Sequence, residues 1–70
     1  MEVKFLEGEV KRWLEGKGYG FIEVEDQDED VFVHYSELRG TYSLLSGQKV
    51  EFELETSYKG PRALNVKILS

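Results

Sequence analysis

Lys17-Gly18-Tyr19-Gly20-Phe21-Ile22 and Val31-Phe32-Val33-His34-Tyr35 each set rings on alternate residues, and both stretches predict neighbouring β-strands. Side chains of a strand alternate between faces, so Tyr19 and Phe21 share one face while Gly20, Ile22 and Val24 take the other. Phe32 and His34 likewise stand together, opposite Val31 and Val33. A half-buried strand turns its aliphatic residues inward, and here the aliphatic set is complete without the rings. The rings are therefore predicted to face solvent, with Lys17 beside them. Flat apolar surface bordered by positive charge is what unstacked nucleobases require.

Seventy residues predict one domain, 1–70, which must build a compact core because a chain of this size buries only roughly 60% of its unfolded surface. The absence of cysteine excludes disulfides, thiolate metal sites and a cysteine nucleophile, and points to a cytoplasmic protein. Apolar runs are far too short to span a membrane, and Met1-Glu2-Val3-Lys4 lacks the apolar core of a signal peptide. The net charge of −5 argues at first against a nucleic-acid partner. However, seven of the fourteen acids lie between Glu23 and Glu37, a segment with no Lys or Arg, and the remainder of the chain is net +2. Binding energy is thus expected from stacking more than from charge.

Outward from the two ring-bearing strands, the pattern predicts three more. Phe5 to Leu14 reads as a strand with a bend or bulge at Gly8. Gly18 to Val24 and Val31 to Tyr35 follow, joined by the acidic turn Asp26-Gln27-Asp28-Glu29-Asp30. A long connection holds one helical turn, Ser36-Glu37-Leu38, capped by Ser36. Gln48 to Thr56 alternates with Val50, Phe52 and Leu54 on one face. Arg62 to Leu69 supplies the last strand, with Leu64, Val66 and Ile68 inward and Tyr58-Lys59-Gly60-Pro61 as the preceding turn. Five short antiparallel strands bury a core best by closing on themselves. The expected fold is all-β, a five-stranded antiparallel oligonucleotide-binding barrel, whose second and third strands form the ligand face.

These residues resemble the cold-shock domain family over nearly the whole chain, from about Leu6 to Leu69. Lys17 to Ile22 is similar to the family's first ribonucleoprotein motif, K-G-[FY]-G-F-I, and Asp30 to Ser36 to its second. Gly8-Glu9-Val10-Lys11, Gly47 to Phe52 and Lys59 to Val66 match G-x-V-K, G-Q-x-V-x-F and the closing G-P-x-A-x-N-V pattern. The resemblance implies a single-stranded RNA and DNA binder with no cofactor and no catalysis. Carried over by position, it places Lys11, Lys17, Tyr19, Phe21, Asp30, Phe32, His34, Tyr35 and Lys59 on nucleic acid, and Tyr42 in the long connection as another ring. Where the family has W-F-N after G-x-V-K, this chain has Arg12-Trp13-Leu14. Simple alternation sets Trp13 with Lys11 on the ligand face, as a displaced stacking ring beside Arg12. A bulge would reverse this, turning Arg12 outward and Trp13 in.

Other chemistries fit the sequence less well. Asp26, Asp28, Asp30 and Glu37 copy the spacing of a calcium loop, but its sixth position needs glycine and holds Val31, so no metal site is predicted. A lone His34 with Asp30 four residues upstream on an extended strand makes no catalytic dyad, and no enzyme is expected. Gly18 and Gly20 precede no helix and form no phosphate loop. The expected function is a monomeric single-stranded RNA- and DNA-binding protein, acting as an RNA chaperone or as a regulator of transcription or translation. The alternative is a small barrel that holds a peptide on its exposed rings, whose binding would be nearly blind to salt.

Overall fold

A computed structural model describes residues 5–69. Its strands are β1 (Phe5–Leu14), β2 (Tyr19–Glu23), β3 (Val31–His34), β4 (Lys49–Ser57) and β5 (Gly60–Ile68), with a 3-10 turn at Tyr35–Glu37. They close into a barrel in the order β1-β2-β3-β5-β4. Hairpin neighbours pair antiparallel, while the seam that closes the barrel is a parallel pairing of β3 with β5 at Phe32 and Arg62. No helix among the described residues is long and apolar enough to cross a membrane.

The alternating aliphatic residues of each strand meet inside. Val10, Ile22, Val31, Val33, Val50, Phe52, Ala63 and Val66 are all essentially inaccessible, and Leu44 from the long connection plugs the same core. No polar or charged side chain among the described residues is buried with them, so the interior is held by apolar burial and by packing. Phe52 is the largest of these side chains, and full burial of such a ring stabilises by about 1.5–3 kcal/mol from transfer alone.

Two register shifts depart from simple alternation and decide what faces where. The first lies in β1 between Val10 and Arg12: Val10 pairs with Ile22, but Arg12 pairs with Phe21 and Trp13 with Gly20. Lys11 is the extra residue of a β-bulge, which flips the face of everything after it. The expected irregularity at Gly8 is not where the register slips, since pairing with β4 runs evenly from Phe5 to Glu9.

The second shift lies opposite β4 between Glu51 and Glu53, where β5 has a residue to spare. Asn65 absorbs it with φ of 51°, a left-handed conformation that asparagine tolerates better than most side chains. Its backbone N–H donates to Glu37 Oε1 (3.2 Å), its amide donates to Glu53 Oε1 (3.1 Å), and its Oδ1 accepts from Arg39. As a result Ala63 and Val66 point inward, and Leu64, expected in the core, pairs with Glu53 on the outer face. The helical turn is also capped differently: His34, not Ser36, is its N-cap, and Ser36 lies within the turn.

Candidate nucleic-acid interface

The candidate interface is the outer face of β2 and β3. Tyr19 pairs with His34 and Phe21 with Phe32, so the register brings four rings into two adjacent rows. All four side chains are half-buried, because each lies against its neighbours. Ring centroids are 5.5 Å apart for Tyr19 and Phe32, 6.1 Å for Phe21 and Phe32, and 6.2 Å for Tyr19 and Phe21. These spacings hold the rings by edge and tilted contacts. His34 and Tyr35 continue the surface at 4.6 Å.

Two local devices hold this edge. Ser36 N–H donates to His34 Nδ1 (3.2 Å), and the Ser36 hydroxyl lies 2.8 Å from the same nitrogen. An Nδ1 that accepts leaves the imidazole proton on Nε2, on the ring's far edge. Gly18, with φ of 72°, donates no side chain of its own. A Cβ there would come within 2.9 Å of the Tyr35 ring, so glycine lets that ring settle over the backbone. Tyr35 N–H in turn donates to Gly18 O at 2.9 Å.

The bulge in β1 sets the far side of the platform. Arg12 stands exposed as the cross-strand partner of Phe21, on the ring face. Trp13 turns the other way, contrary to the alternation reading that placed it on the ligand face. It packs half-buried against the core, over Gly20. A Cβ at Gly20 would lie 2.8 Å from Trp13 Cε3, so the indole occupies the space that glycine leaves open. Its Nε1–H is buried without an acceptor among the described residues.

Charge around the rings is mixed. Lys11 Nζ is 3.1 Å from Asp30 Oδ2, and Arg62, beside Phe32 across the seam, is paired with Glu55. Both pairs are substantially exposed, where such contacts contribute about 0–1 kcal/mol and exchange readily for other partners. Lys17 is exposed in the turn that leads into β2. Tyr42 is 85% exposed in the long connection and belongs to none of the ring contacts among the described residues. Lys59 lies at the β4–β5 turn, its Nζ 5.8 Å from the centroid of Tyr58, a ring that the sequence reading took only as part of a turn. A cleft of about 760 Å³ lies elsewhere on the barrel. Its lining includes Glu7, Glu9, Glu23 and Glu25, which would repel phosphate. Among the described residues, no three side chains of histidine, aspartate or glutamate converge as a metal site would require.

A model of the 'Cold-shock' DNA-binding domain matches residues 6–69. The chain belongs to the cold-shock domain family. It is 50% identical over 64 residues to a cold shock-like protein of Aquifex aeolicus, covering 89% of this chain and 91% of the relative. It is 48% identical over 63 residues to cold shock-like protein CspC of Escherichia coli K12, covering 87% and 91% respectively. The solved structure of drosophila Unr CSD456 superposes with a TM-score of 0.79 at 22% identity, over 96% of this chain and 27% of that one, a likeness of fold. The cold-shock domain family is a nucleic-acid-binding one, and the all-β barrel expected from alternation is its architecture.

Proposed function

We propose that this protein binds single-stranded RNA or DNA by stacking unpaired bases on Tyr19, Phe21, Phe32, His34 and Tyr35. Arg12, Lys11, Lys17 and Lys59 guide the phosphates, Asp30 offers an acceptor at the platform's edge, and Tyr42 adds a ring from the long connection. The observation that carries this reading is a contiguous set of rings on the outer face of strands whose inner face is already filled by Ile22, Val31 and Val33. Rings in that position add little to the core and present π-faces to solvent. Trp13 is assigned to packing against the core, across from Gly20.

Each stacked base is worth about 1–3 kcal/mol by alanine substitution, so three or four support micromolar to nanomolar affinity once ordering costs are subtracted. Stacking accepts every base, so sequence preference is modest. A bound strand is withheld from pairing, and the biological action is that of an RNA chaperone, without cofactor or catalysis. The test is anisotropy of labelled oligothymidine, with a blunt duplex of the same length as competitor. The single strand binds and the duplex competes poorly, because its bases are already stacked. Equal affinity for both forms would overturn the reading.

A further inference from the structure

Tyr58 is 95% exposed, more than any other large apolar side chain described. It stands with Lys59 at the tip of the hairpin between Ser57 and Gly60, which are register partners. The tip is pinned. Ser57 Oγ donates to Gly60 O (3.0 Å), and Lys59 N–H donates back to Ser57 Oγ (3.3 Å). A ring so exposed contributes almost nothing to the core, yet it is carried on ordered backbone. Lys59 Nζ lies over the ring at 5.8 Å, a cation–π arrangement that covers one face and leaves the other to solvent.

The position of the tip follows from the barrel. From Gly60, β5 runs to Arg62, the cross-seam partner of Phe32. Lys59 is therefore three residues, about 10 Å of strand, from the neighbour of a platform ring. A strand within the roughly 4–16 nucleotides that one barrel of this kind engages is long enough to cover it. Acidic side chains at this end give stacking the larger share of the binding and leave Lys59 as the phosphate contact. A Cβ at Gly60 would lie 3.8 Å from Glu29 Oε2 of the acidic loop, and Arg62 is paired with Glu55.

We infer that Tyr58 is an additional base-stacking position, so that a single strand leaving the Phe32 end of the platform crosses β5 and lays a further base on this ring. The inference rests on the platform reading above and extends its footprint to longer single-stranded ligands. Lys59 polarises the covered face of the ring and meets the adjoining phosphate.

The test compares Tyr58→Ala and Tyr58→Phe with the unaltered protein, using labelled oligothymidines of about 4 and about 10 nucleotides. Tyr58→Ala lowers affinity for the longer strand by about five- to 140-fold and for the shorter by less than about twofold, with the thermal midpoint unchanged. Tyr58→Phe, which keeps the π-face, retains affinity for both. Equal affinity of Tyr58→Ala and the unaltered protein for the longer strand would overturn the inference and leave the platform standing. Loss of affinity in Tyr58→Phe as large as in Tyr58→Ala would also overturn it, by assigning the effect to the hydroxyl. Failure of the unaltered protein to bind either strand would overturn the platform reading together with it.

Discussion

Gly20→Ala puts the β1 bulge on trial, and with it the inward turn of Trp13. The added methyl would stand 2.2 Å from Arg12 O, 2.9 Å from Trp13 Cα and 2.8 Å from Trp13 Cε3. Two of these atoms are backbone of the neighbouring strand, so relief requires β1 to move away from β2 at the point where the bulge sets the register. Overpacking ordinarily costs about 1–3 kcal/mol. Contacts with backbone in a close-packed barrel put this case at the upper end, about 3 kcal/mol. A domain of this size has about 4–10 kcal/mol in all, so the loss is large. Urea unfolding followed by Trp13 emission reads it as a fall in midpoint at unchanged slope. Gly16→Ala is the control: nothing lies within 4 Å of its Cβ position, and its stability changes by less than about 1 kcal/mol. If Gly20→Ala were as stable as Gly16→Ala, Trp13 would not lie across from Gly20 and the bulge at Lys11 would be wrong.

Three other outcomes follow from the same geometry. Phe52→Ala removes the largest fully buried side chain and costs about 3–5 kcal/mol in a denaturant melt, enough to leave much of the protein unfolded. Because Trp13 packs inward, saturating oligothymidine leaves its emission nearly unchanged in a fluorescence titration. Arg12→Trp, which adds a ring beside Phe21, tightens binding by about 1–3 kcal/mol, read as a lower Kd. Finally, log affinity falls against log salt with a slope shallower than about −3, at about −0.7 per phosphate contact, and Lys17→Gln flattens it further. A slope near −6 would assign the binding to charge.

Alternation made most of the barrel legible. Val10, Ile22, Val31, Val33, Val50 and Phe52 occupy the core because period-two patterning reports a half-buried strand directly. The two bulges were not legible in that way, since a bulge is a relation between strands and leaves the alternation of each one intact. Leu64 was therefore assigned to the wrong face, one residue from the point where Asn65 takes up the slack. Two signals were present all the same. Asparagine is among the few side chains at ease at positive φ, and Gly20 is the one residue of β2 without a side chain, a seat for a large partner such as Trp13.

The outward placement of Tyr19, Phe21, Phe32 and His34 was legible because their strands carried a complete aliphatic face without them. Lys11 and Asp30 were legible only as separate charges, since their ion pair joins residues nineteen apart in the chain. His34 as the cap of the 3-10 turn escaped notice because imidazole is not among the preferred capping side chains. Tyr58 was obscured by its place in a turn, where exposure is ordinary.

The most direct measurement of the central claim is the affinity of Phe21→Ala and Phe32→Ala for oligothymidine, taken with a thermal melt of each variant. Each substitution weakens binding by about 1–3 kcal/mol while the protein still unfolds in one cooperative transition, because these rings lie on the outer face of β2 and β3. Unchanged affinity in both variants, or loss of folding in place of loss of binding, would contradict the account.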